Sequence, residues 1–136
     1  MRRLIASALA LTLFALAFSA AVALPPLSAN KPINDQLFAA AVGDRIRKEC
    51  PTVSARLLVV MQKARALERY AKAQGYTEAQ IDAYTSSEPD KQRLEGRALA
   101  YLAERGARPG DAAAHCRVSE AEIAAKSPIG ELLRSR

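Results

Sequence analysis

The residues able to do nucleophilic or metal chemistry are few: two cysteines, Cys50 and Cys116, and a single histidine, His115. His115 beside Cys116 would make a cysteine–histidine nucleophile pair only if the thiol were free. A zinc site built on the same two residues would need two further ligands. Fourteen acids offer paired-carboxylate chemistry of the glycoside-hydrolase kind. Most of them fall at helix starts or on solvated faces; Asp44 and Glu49 are the least routine. Such a hydrolase also wants an aromatic-lined cleft, and the chain has no tryptophan. No glycine-rich phosphate loop occurs.

The other candidate is electrostatic. Arg65, Arg69 and Lys72 are spaced i, i+4, i+7 and share one helix face, with Arg56 and Lys63 elsewhere on the outer surface. A solvated charged face is the ordinary reading. The sharper one is a docking surface for an acidic protein partner or anionic lipid head groups. Nucleic acid is not expected, because no aromatic stacking platform accompanies the charge. Arg56 falls in the first turn of the expected helix, an unfavourable place for a cation. A pair with Glu49 or another acid near the cysteines would account for it, as would an anion site.

Whether the thiols are free depends on compartment. Met1-Arg2-Arg3 precedes an apolar run from Leu4 to Phe18 and the small residues Ser19-Ala20-Ala21-Val22-Ala23. That is the pattern of a secretory signal peptide, residues 1–23, with cleavage expected after Ala23. A retained membrane anchor is the alternative, but about 15 apolar residues fall short of the ~20 a spanning helix needs. Export makes the chain periplasmic or secreted, and an oxidising compartment joins Cys50 to Cys116, the one pairing possible. His115 is then expected to be an exposed residue flanking a structural cystine. Without residues 1–23 the chain keeps 18 basic and 14 acidic residues, a net charge of +4, and is long enough for one core.

Helical spacing organises the rest. Val53, Leu57, Val60, Ala64, Leu67 and Ala71 fall on one face of a long central helix, Val53 to about Gln74, capped by Thr52 and stopped by Gly75. Leu58 and Met61 widen that face. Residues 24–33 hold three prolines and read as an extended arm. A first helix is expected from Asn34 or Asp35 to Glu49, ended by Pro51. Thr77-Glu78-Ala79-Gln80 is a capping box with a staple between Tyr76 and Ile81. Ser87-Glu88-Pro89 opens a helix to about Arg105, and Asp111 a short one to about Cys116. Ser119-Glu120-Ala121-Glu122 reads as a further capping box, and Ser127-Pro128 starts a last helix carrying Ile129, Leu132 and Leu133. No stretch alternates with period two. The expected fold is all-α: a compact bundle of about five to six helices on one long central helix, residues 34–136, stapled by one disulfide.

Three stretches carry a family resemblance. They are Phe38-Ala39-x-Ala41-Val42-Gly43-Asp44-x-Ile46-Arg47-Lys48-x-Cys50-Pro51-Thr52-Val53-Ser54-Ala55-Arg56, Gly75-Tyr76-Thr77-Glu78-Ala79-Gln80-Ile81-Asp82-Ala83-Tyr84, and Cys116-Arg117 followed by Glu122-Ile123-Ala124 and Ile129-Gly130-x-Leu132-Leu133-Arg134. Together they resemble the domain-of-unknown-function family 5333, small exported α-proteobacterial proteins. The resemblance spans nearly the whole mature chain. It implies a compact periplasmic helical domain and supplies no activity.

These features together give the expectation of a non-enzymatic, exported protein-binding module of the inhibitor, immunity or assembly-factor type, with no cofactor, no metal and no catalytic residues. Its docking face would be Arg65, Arg69 and Lys72, and its partner an acidic periplasmic protein. The alternatives are an acid-stress periplasmic chaperone, which would expose the Leu57–Leu67 face in acid, and a cell-wall hydrolase using Glu49.

Overall fold

The computed structural model describes residues 23–136. The expected signal peptide therefore lies, but for its last residue, outside the described residues.

The described residues form five α-helices: α1 (Lys31–Glu49), α2 (Leu57–Ala73), α3 (Glu78–Ser86), α4 (Glu88–Glu104) and α5 (Ala112–Ala124). With the Cys50–Cys116 bond in place, this is the disulfide-stapled all-α bundle read from the sequence. The helix at its centre is α1. Ile33, Ala39, Val42 and Ile46 of α1 are buried, and with Ala98 and Leu102 of α4 and Ala114 and Val118 of α5 they supply about half of the buried apolar residues. Helix α2 buries only Ala71.

Helix α1 starts earlier than expected. The Asn30 side chain accepts from the Ile33 N–H at 3.2 Å, and Pro32 occupies the first turn, where its missing N–H costs nothing. Asn34 is buried instead of capping. The segment read as an extended arm is docked: Leu27, in a 3₁₀ turn at Leu27–Ala29, is buried with Ile33, Ala71 and Tyr76. The Tyr76 hydroxyl donates to the Pro25 carbonyl at 2.8 Å.

The helix expected from Val53 begins only at Leu57. Val53–Ala55 is a strand, β1, paired antiparallel with β2 (Leu133–Ser135), with Ser54 opposite Arg134. The Arg56 N–H donates to the Leu132 carbonyl at 2.8 Å and the Arg136 N–H to the Thr52 carbonyl at 2.9 Å. Three-residue strands are too short to show a period of two, and a long-range partner decides their backbone conformation. Consequently Thr52 does not cap α2; its hydroxyl lies 3.3 Å from the Cys50 sulfur. The residue before α2 is Arg56, with no side-chain cap.

The other start signals hold better. Thr77 and Gln80 form the expected reciprocal capping box, and Tyr76 and Ile81 share the smaller core. Ser87 caps α4 and Asp111 caps α5. Helix α5 then runs without a break through Ser119, whose hydroxyl donates to the Cys116 carbonyl three residues back at 2.8 Å, so that second capping box does not form. The last helix is replaced by a single 3₁₀ turn, Gly130–Leu132, leading into β2. Ile129, Leu132 and Leu133 are buried as expected.

Candidate functional site

Cys50, at the end of α1, is bonded to Cys116 in α5. The Thr52 hydroxyl lies 3.6 Å from the Cys116 sulfur, and neither thiol is free. His115, expected to be exposed beside this cystine, is instead buried, at 1% exposure. Its Nδ1 donates to the Asp111 carbonyl at 2.7 Å. A backbone carbonyl can only accept, so Nδ1 carries the proton. The reason lies in α5: Ala114, Val118 and His115 form the face that packs into the core. Among the described residues no group of three or more His, Cys, Asp or Glu side chains gathers to hold a metal ion.

The two less routine acids have structural partners. Glu49 accepts the Gly110 N–H at 3.2 Å. Asp44 pairs with Arg47 at 2.5 Å and Lys48 at 2.6 Å. Burial pushes the Asp44 carboxyl up, but hydrogen bonds from Lys48 and Arg47 outweigh it and hold it below its ordinary value of 3.8. Its pairs therefore stabilise the fold fully above pH ~4 and are lost as pH falls through the depressed folded value. Asp44→Asn is expected to cost under about 1 kcal/mol at pH 7, the range of half-exposed pairs, and less at pH 2. Urea melts at the two pH values check this. Arg56 does not reach Glu49; its Nη1 donates to the Glu131 carbonyl at 3.3 Å, while Lys63 takes the Glu131 carboxylate at 2.6 Å.

The basic face read from the sequence is divided. Arg65 and Arg69 are exposed, and neither belongs to an ion pair among the described residues. Lys72 pairs with Glu68 at 2.7 Å and Glu78 at 3.9 Å. Its pKa is raised, first by the hydrogen bond to Glu68 and also by the charges of Glu78 and Asp82. Acids from α3, folded back beside α2, surround it.

A buried carboxylate went unread. Glu122, placed by the sequence in a solvent-facing cap, is 8% exposed. The Tyr101 and Ser127 hydroxyls each donate to one of its oxygens, and the Arg105 Nε stands at 3.8 Å. Burial, and then Glu122, push the Tyr101 hydroxyl up to about 12. Ser127 in turn accepts the Gly130 N–H at 3.0 Å. With the carboxylate's two oxygens engaged by Tyr101 and Ser127, the cluster fastens the tail to α4 and α5.

The feature with the shape of a binding site lies along α2. Leu57, Leu58 and Met61 are exposed at 69%, 76% and 51%, although they continue the apolar face of an amphipathic helix. Leu57 and Val60 line a mostly apolar hollow of about 510 Å³, closed by Ala40 and Gly43 of α1, by β1, and by Leu132 and Leu133. Arg47, Arg134 and Arg136 stand around it, with Asp44 as the one acid. A second hollow of about 350 Å³ takes Ala64, Leu67 and Ala71 of α2, Ile33 and Leu37 of α1, and Ile81 and Tyr84 of α3. Its acids are Glu68, Glu78 and Asp82. The first hollow falls within the size range of ligand clefts. The signal in the sequence was the surplus of large apolar residues at the start of α2, more than one packed face needs.

A family model described as a family of unknown function, DUF5333, matches residues 25–134. Neither the curated proteins nor the solved structures give a match.

Proposed function

The chain belongs to DUF5333, a family of unknown function, and we propose that it is an exported, non-enzymatic module that binds another protein through the outer face of α2. The observation that carries this reading is the exposed cluster of Leu57, Leu58 and Met61 on α2, of which Leu57 also lines an apolar, arginine-rimmed hollow. Single exposed apolar residues are ordinary, but three within five positions beside an open cleft mark an interaction surface. The disulfide suits an oxidising compartment. The family assigns no activity, and the acids and histidine that a hydrolase or nucleophilic enzyme would use are engaged in holding the fold.

An apolar contact of this kind supplies affinity, while the surrounding arginines select an acidic partner and speed its approach. Tagged, oxidised mature protein should retain one stoichiometric partner from the envelope fraction of its host at neutral pH. Leu58→Glu, at an exposed position whose loss leaves the core intact, should abolish that capture with an unchanged thermal melt. Many substoichiometric clients appearing only in acid would favour a chaperone instead. Undiminished capture by Leu58→Glu would remove α2 from the interface.

A further inference from the structure

The two hollows share two of their walls, helices α1 and α2. On α2 their walls are Leu57 and Val60, then Ala64, Leu67 and Ala71; on α1 they are Ala40 and Gly43, then Ile33 and Leu37. Each set continues a single helical stripe, so the hollows lie end to end between antiparallel helices. The ends differ in charge. Three arginines against Asp44 border the first, and Glu68, Glu78 and Asp82, with Lys72 offsetting one of them, border the second.

Resting on the protein-binding reading above, we propose that the two hollows form one cleft and that its occupant is one amphipathic helix of the partner, lying parallel to α2. Length, surface and charge each argue for it. From Leu57 to Ala71 the cleft spans about 21 Å at ~1.5 Å per residue, which matches roughly four helical turns. The walls are apolar and offer i, i+3, i+4 anchors, the surface that helix-in-groove recognition uses. The charge gradient then fixes the direction. An ordinary helix carries acids in its first turn and bases in its last, because its own dipole favours them there. Laid parallel to α2, such a helix puts its acids against Arg47, Arg134 and Arg136 and its bases against Glu68, Glu78 and Asp82. Laid the other way, like charges meet at both ends. The occupant's dipole opposes this choice, but it carries only about half a charge per end, against several full side-chain charges.

The experiment uses the oxidised mature protein and a displayed library of helical peptides of about 15 residues. The apolar stripe is fixed, and every other position is Glu, Gln or Lys. Selection on the wild type should enrich Glu in the first turn and Lys in the last. The same library selected on a protein carrying Arg134→Glu, Arg136→Glu, Glu78→Lys and Asp82→Lys should give the opposite gradient. A wild-type-selected peptide should bind Arg134→Glu/Arg136→Glu about tenfold more weakly, the sum of two rim charge pairs; this double variant also serves if the quadruple one fails to fold. The same gradient on both proteins would reflect helix stability alone and overturn the proposal. Peptides lacking any gradient but lost with Leu58→Glu would overturn the directed helix and leave the binding reading standing. No enrichment at all, with binding instead to vesicles of anionic phospholipid, would overturn both.

Discussion

Replacing both cysteines by alanine is expected to lower the free energy of unfolding by about 4 kcal/mol. The bond closes a loop with a sequence separation of 66, and the chain-entropy model gives roughly that value for a loop of this length. A domain of this size has only about 5–15 kcal/mol in total, so the effect should dominate any other covalent change. Urea melts of the oxidised protein, the reduced protein and Cys50→Ala/Cys116→Ala measure it directly. Because Cys50 is fully buried, the alanine variant should fall slightly below the reduced protein, by the small cavity the missing sulfur leaves. A loss under about 1 kcal/mol would mean that the unfolded chain is already compact and gains little freedom on reduction. Local order should follow the same direction. The bond holds Cys50 immediately before β1, so hydrogen exchange at Ser54 and Arg134, opposite each other in the sheet, should rise before exchange in α4. Because β1 and Leu133 close the larger hollow, the reduced protein should also lose binding to the proposed partner.

How far the fold was legible depended on whether its cause was local. Caps at Thr77, Ser87 and Asp111 are chemistry within four residues, and they form as read. The cystine followed from the expectation of export and from there being two cysteines. What the sequence concealed were the long-range events. Val53, Leu57 and Val60 have perfect helical spacing, yet Val53 is drawn into a strand by the tail more than seventy residues later. With that strand in place α2 starts late, and the apolar surplus at Leu57, Leu58 and Met61 is left facing outward. Periodicity reported which residues share a face; it could not report that the face was only partly covered. The same limit applies to charge. Arg65, Arg69 and Lys72 do share a side of α2, but the spacing contains nothing about α3, whose Glu78 turns back onto Lys72. His115 and Glu122 were assigned to the surface because charged and polar types usually lie there. Both are exceptions of the permitted kind, buried with their hydrogen bonds made.

Gly130→Ala is expected to destabilise the domain by about 3 kcal/mol, the upper range for overpacking, and to release the tail selectively. A Cβ at Gly130 would overlap the Glu122 carbonyl and stand 2.7 Å from the Ile123 nitrogen. Those are backbone atoms of α5, so no rotamer change relieves the contact, and the 3₁₀ turn must move away from the helix. Its backbone φ is not positive, so steric approach, not conformational freedom, requires the glycine. Moving the turn stretches the Gly130 N–H to Ser127 bond and with it the Ser127 donation to Glu122. The carboxylate would then be left with Tyr101 and a distant Arg105 in a site from which water is largely excluded, a costly state for a charge. Glu122→Gln separates the two contributions. It keeps the shape at Gly130 but aims an amide N–H₂ at one of two hydroxyl donors, and should cost about 1–3 kcal/mol without displacing the turn. Hydrogen exchange distinguishes the variants: Gly130→Ala should expose residues 129–135 while α1 and α4 stay protected, whereas Glu122→Gln should lower protection throughout by a similar amount. A Gly130→Ala melt within about 0.5 kcal/mol of wild type would show that the tail packs less closely on α5 than the geometry requires. Because Leu132 and Leu133 line the larger hollow, the tail released by this one methyl group is also a wall of the proposed binding site, and on that proposal partner capture should fall with it while the disulfide remains intact.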